Sequence, residues 1–176
     1  CGMSYDLSGP ICDRAMLHAD NSYYLPNVKI TSYRCKTHTV SNTAFRGFGG
    51  PQGMVAIERV IDEIAHYLGK DPVQVRRINF YDPKDKLGNR SLTPYHMKVE
   101  DCVIEDIVTA LLKDSEYESR RAKIRAWNKD SKTFKRGIAL TPVKFGISFT
   151  LTFLNQAGAL VHIYNDGSIH LNHGGT

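Results

Sequence analysis

The 176-residue chain is poor in the residues that build specialised scaffolds. Its four cysteines, Cys1, Cys12, Cys35 and Cys102, include no C-x-x-C pair, so neither a zinc ribbon nor an iron–sulfur cluster can be assembled from them. Four cysteines are also too sparse for a disulfide scaffold, and reduced thiols in a cytoplasmic protein are the expectation. No run approaches 18 apolar residues, mean hydropathy is −0.33, and no transmembrane helix is expected. Neither charge sign dominates. Lys plus Arg number 23 against 18 Asp plus Glu, a net +5, which suits an anionic ligand and argues weakly for nucleic acid. There is no G-x-G-x-x-G, no Walker loop and no nucleophile elbow.

What is present is ordinary globular composition, 41% hydrophobic and 23% charged, enough for a buried core. Asp13 to His18 predicts a helical turn, broken by Asp20-Asn21-Ser22, whose side chains compete for backbone hydrogen bonds. Asn27 to Cys35 reads as a strand, and residues 36–50 as a polar, then Gly-rich, loop. From Pro51, the 3.6-residue spacing of Met54, Ile57, Ile61, Ile64 and Leu68 predicts a helix ended by Gly69. Asp71-Pro72 restarts one as N-cap and N1, with Val73, Val75 and Ile78 apolar. Further helices are predicted over 101–113 and, strongly basic, over 118–129, with Ile124 and Trp127 facing the core. Gly137 to Pro142, Lys144 to Thr152 and Ala159 to Leu171 read as strands, with Asn165-Asp166-Gly167 as a hairpin turn. The expected class is α+β, with mixed sheets and packed helices, divided at 1–135 and 136–176. The chain opens at Cys1 and closes on Asn172-His173-Gly174-Gly175-Thr176 directly after a strand-like run, so a piece of a longer protein is expected.

The stretch from Ser41 to Gly53 concentrates glycine, at 47, 49, 50 and 53, and runs into a helix start. Glycine allows close backbone approach, a helix N-terminus favours anions, and Arg46 adds fixed positive charge. An anion site and an ordinary Gly-rich loop both fit. Lys144 to Thr150 sets rings and hydroxyls beside Gly146, which suits either a core strand or a ligand wall. His162 and His170 face each other across the expected turn, but with His173 they form no recognised ligand spacing.

Ser41-Asn42-Thr43-Ala44-Phe45-Arg46-Gly47-Phe48-Gly49-Gly50-Pro51-Gln52-Gly53 resembles the molybdenum-site motif of the xanthine dehydrogenase and xanthine oxidase family. Asp13 to Asn21, Pro142 to Thr150 and Phe153 to Ala159 resemble the family's flanking segments, in the same order. The resemblance implies a fragment of the molybdopterin-binding domain of a molybdenum hydroxylase. It also implies oxidation of hypoxanthine and xanthine to urate, with oxygen from water and hydride passing to a molybdenum sulfido ligand. Electrons would leave through two [2Fe-2S] clusters and FAD on other domains or subunits of a cytoplasmic, dimeric enzyme.

Residue by residue, Arg14 matches the substrate-binding arginine that stabilises charge developing on the purine. Phe48 and Phe149 match the rings that sandwich the heterocycle, and Thr150 a polar substrate contact. Phe45, Arg46, Gly47, Gly49 and Gly50 match the cofactor loop. Arg46 would lie in the molybdenum surroundings through its backbone or at one remove, because a guanidinium has no lone pair to give. By the same resemblance the catalytic glutamate falls after residue 176 and two further site residues before residue 1, so the isolated fragment is expected to be inactive. Glu58, Glu63 and Glu100 match nothing and are expected on solvated faces. The alternative is an aldehyde oxidase of the same scaffold, against which Arg14 speaks.

Overall fold

A computed structural model describes residues 2–85, 90–147 and 156–174. It divides into two units, Cys1–Phe145 and Gly146–Thr176. The first holds five helices among its described residues: α1 (Ser8–Met16), α2 (Gly50–Tyr67), α3 (Pro72–Asn79), α4 (Ile104–Asp114) and α5 (Tyr117–Asp130). The second holds one antiparallel pair, β1 (Ala159–Ile163) and β2 (Ile169–His173).

The helices begin and end where local chemistry directs. Pro51 sits in the first turn of α2, and Leu68 and Gly69 close it, the glycine at φ 61°. The Asp71 carboxylate accepts the Val73 N–H at 2.8 Å, the N-cap of α3. Ile61 and Ala65 of α2, Val73 and Val75 of α3, Val108 of α4 and Tyr117 of α5 meet Tyr23, Phe80 and Leu140 in one core. The apolar stripes are narrower than their spacing implied. Ile64, Leu68 and Ile78 are exposed, and on α3 Arg76 is buried beside Val73 and Val75. Trp127 is also exposed, and its ring is covered by Arg136, whose guanidinium carbon lies 3.6 Å from the centroid.

Two expected strands depart from the reading, and a third lies largely outside the described residues. Among the described residues Asn27 to Cys35 forms no strand, and of this run Cys35 alone bridges, in parallel to Gly2. Among the described residues Gly137 to Pro142 forms no ladder, and most of Lys144 to Thr152 lies outside them. A strand is defined by its neighbour, and here side chains take that place. Asn128 donates to the Arg136 carbonyl at 2.9 Å and accepts its N–H at 2.8 Å. Asn21 treats Pro142 and Lys144 in the same way. The hairpin does form, with His162 directly opposite His170 and the turn closed by the Ser168 N–H on the Asp166 carboxylate at 2.9 Å. The Ser168 hydroxyl, with that N–H, holds the Asp166 carboxyl below its usual range. Every residue of β1 and β2 is exposed within this chain.

Candidate active site

Arg14 lies on α1 and is 6% exposed, a charge carried into the interior. Its guanidinium carbon is 5.9 Å from the Phe48 ring centroid and 5.5 Å from that of Phe145, inside cation–π range of both. Three separate segments therefore converge on one cation.

Close helix approach creates the convergence. A Cβ on Gly53 would come within 2.2 Å of the Ala15 carbonyl oxygen, and one on Gly49 within 2.1 Å of that of Ile11. Only glycine lets α2 lie this tightly on α1. Gly47, Phe48 and Gly49 all have positive φ, 88°, 50° and 97°. The Phe48 N–H donates to the Phe45 carbonyl at 2.8 Å and the Gly50 N–H to that of Gly47 at 3.0 Å. This left-handed turn delivers the Phe48 ring to Arg14. The loop ahead of it is tied down at the chain start. Asn42 exchanges hydrogen bonds with Gly2, at 2.7 and 3.1 Å, and Thr43 donates to Asp6 at 2.9 Å. Ser4, Leu7 and Thr43 together hold the Asp6 carboxyl below its usual range.

Phe145 arrives by a different device. Asp20, Asn21 and Ser22 are almost completely buried. Asn21 donates to the Pro142 carbonyl at 2.9 Å and accepts the Lys144 N–H at 3.0 Å. Lys144 Nζ reaches Asp20 Oδ2 at 2.6 Å and Tyr95 OH at 2.9 Å, and Tyr81 OH donates to the same Asp20 oxygen at 2.7 Å. Burial, then the Asp20 carboxylate, push the Tyr81 phenol far above its ordinary value, so it remains a donor. Behind Asn21 stands Glu58, which accepts from Asn21 at 2.8 Å and from Arg76 at 2.9 and 2.7 Å, while Arg76 also meets Asp62 at 2.8 Å. Glu58 was expected on a solvated face. It is instead a partly buried hub, because Arg76 inside α3 needs a counter-charge. Glu63 and Glu100 are exposed as expected.

His18, one turn after Arg14, is buried. Its Nδ1 donates to the Arg14 carbonyl at 2.8 Å, and its ring lies 5.0 Å from Phe145. Burial lowers its pKa, outweighing the carbonyl bond, so the neutral ring is favoured. The arrangement is a fixed cation beside two aromatic rings, suited to a flat ligand that carries or develops negative charge.

Of the residues expected at a site, Arg14 and Phe48 are brought together. Phe149 and Thr150 lie outside the described residues. Phe45 is 81% exposed, Arg46 is exposed, and Gly47 is half-buried. Gly49 and Gly50 are buried, and the space a Cβ would need is filled by Ile11 and by the Phe145 ring. Lys144 and Phe145 lay in the stretch noted for its rings and hydroxyls but were given no role of their own, and Asp20 and Asn21 were not singled out as site residues. Their signal was a buried polar triplet, which reads locally as a helix break.

Two family models, each described as a molybdopterin cofactor-binding domain, match residues 1–80 and 110–176. A xanthine dehydrogenase/oxidase from Gallus gallus is 49% identical over 175 residues, covering 99% of this chain and 12% of that protein. Xanthine dehydrogenases from Emericella nidulans and Dictyostelium discoideum are 47% and 44% identical, with the same coverage. The chain thus spans 12% of the length of these relatives. A solved aldehyde oxidoreductase from Desulfovibrio gigas shares the fold, with TM-score 0.60 and 22% identity over 97% of this chain and 17% of that one.

Proposed function

We infer, for a chain that belongs to the xanthine dehydrogenase family and carries parts of its molybdopterin cofactor-binding domains, that it supplies the substrate-facing arginine and aromatic wall of a purine-oxidising molybdenum hydroxylase. The observation that carries this reading is the buried Arg14 guanidinium set beside Phe48 and Phe145.

The molybdopterin cofactor, when bound, supplies the redox and oxygen-transfer chemistry. The residues here do the recognition. Phe48 offers a face on which a planar heterocycle stacks, worth about 0.5–1.5 kcal/mol for an aromatic pair. Arg14 donates hydrogen bonds to the oxygen on which negative charge grows as the ring is attacked. It is already positioned, so no reorganisation is needed as the charge appears. Phe149 and Thr150 are assigned by resemblance as the second ring and a polar contact.

The chain's residues fit an anionic cofactor at the exposed loop that ends in α2. Arg46 contributes charge there, and Phe45 and Gly47 contribute backbone. Gly49 and Gly50 serve the same loop by admitting Ile11 and Phe145. Two [2Fe-2S] clusters, FAD and the remaining site residues are assigned to the rest of a larger, dimeric, cytoplasmic enzyme.

The test is made on the full-length protein. Elemental analysis should find molybdenum, and xanthine should be converted to urate. Molybdenum with aldehyde oxidation but no urate would move the reading to the aldehyde oxidases, and absence of molybdenum would overturn both. The isolated 176 residues, given the cofactor, should form no urate.

A further inference from the structure

We propose that Phe145 is a positioning residue, one that fixes the Arg14 guanidinium for the purine and thereby contributes to the choice of purine over aldehyde. The proposal rests on the reading of Arg14 given above. Phe145 is 38% exposed in this chain, yet the backbone leading into it is hydrogen-bonded to a buried side chain. Asn21, fully buried, binds Pro142 and Lys144 at 2.9 and 3.0 Å. The Lys144 side chain is drawn inward to Asp20 at 2.6 Å, with its ammonium 5.2 and 5.3 Å from the Tyr81 and Tyr95 ring centroids. Backbone and side chain of the residue just before the ring are both anchored.

The ring itself has a shaped seat. It occupies the space beside Gly50, where an added Cβ would lie 2.4 Å from a ring carbon, and it meets the His18 ring at 5.0 Å. His18 in turn holds the Arg14 carbonyl at 2.8 Å. Phe145 therefore touches Arg14 at its guanidinium and contacts the residue that holds its backbone. A long, flexible side chain gains from such walls, because charge stabilisation is greatest when the donor does not have to move. Phe48 supplies one wall and is also the stacking face for the ligand. Phe145 supplies the other.

The experiment compares full-length enzymes with Phe145→Leu, Phe145→Tyr, Arg14→Met and the double variant Phe145→Leu/Arg14→Met. Steady-state kinetics use xanthine and benzaldehyde, beside molybdenum content and a thermal melt. Phe145→Leu should lower kcat for xanthine about tenfold, a part of what a lost donor itself costs. Its effect on KM for xanthine and on benzaldehyde turnover should stay within about threefold, with molybdenum content near normal. Phe145→Tyr, which keeps the ring, should recover most of the loss. In the Arg14→Met background, Phe145→Leu should cost less than about twofold more, because it acts through the residue already removed. Full additivity in the double variant, or equal loss on both substrates with a lowered melting point, would overturn the proposal by showing that Phe145 only supports the fold. If Arg14→Met itself spares xanthine, the reading of Arg14 falls and this proposal with it, a result separable from the first by the single variant.

Discussion

Phe48 occupies a backbone region that phenylalanine avoids, at φ 50°, between two glycines that tolerate it. A non-glycine residue there costs about 1–3 kcal/mol, and it persists because the turn from Phe45 to Gly50 and the contact with α1 over-determine it. Phe48→Gly should therefore relieve strain while removing the ring. The full-length variant should melt no lower than wild type yet lose turnover on xanthine and aldehyde alike. His18 gives a second prediction at this scale. Burial depresses its pKa below the ordinary 6.5, so the unfolded chain binds the proton more readily. Stability should thus be complete above pH 6.5 and fall as pH drops below it, until the depressed folded value is reached. His18→Gln should flatten that part of a plot of melting temperature against pH, and an unchanged slope would count against buried, neutral His18. Single residues were unevenly legible in the sequence. Arg14 and Phe48 stood out through the motif, but Asp20 and Asn21 read as a helix break. Nothing local distinguishes a solvated turn from one buried under a segment 121 residues later.

The helices were the most legible elements, because their signals are local. Pro51, Gly69 and the Asp71-Pro72 pair set boundaries within a residue or two of those observed. Which face turns inward was less legible. Arg76 sits where an apolar residue would be expected, held by Glu58 and Asp62 at 2.7 and 2.8 Å, and these carboxylates raise its pKa against the opposing effect of burial. Arg76→Ala would leave Glu58, 13% exposed at its side chain, without its counter-charge. A cost of about 3–5 kcal/mol is expected in denaturant unfolding, whereas exposed Arg59, paired with Glu63, should cost no more than about 1 kcal/mol. The strands at 27–35 and 137–142 were misread because β-propensity describes a residue's fit to a sheet, not the presence of a neighbour. Asparagine side chains at 21 and 128 stand in for the missing ladder.

At the scale of the molecule, the first unit has its own core, while the hairpin of β1 and β2 exposes Leu160, Val161, Ile163, Ile169 and Leu171. A lone hairpin is marginal in water. In the isolated 176 residues, amides of β1 and β2 should exchange with deuterium within seconds, while those of α2 and α3 around Ile61 and Val73 should be strongly protected. Equal protection would show that the hairpin is stable by itself. For the complete enzyme we propose that Arg14 stabilises charge that develops on a purine. Such an interaction is stronger in the transition state than with bound substrate, so its loss appears in kcat. The competing account makes Arg14 a structural cation of the α1–α2 contact. The decisive measurement is kcat for xanthine and for benzaldehyde in full-length Arg14→Met, with molybdenum content and melting temperature recorded on the same preparations. The account predicts a fall of about 10²–10³ for xanthine, a far smaller change for the aldehyde, and an intact metal complement. Equal loss on both substrates together with a lowered melting temperature would contradict it.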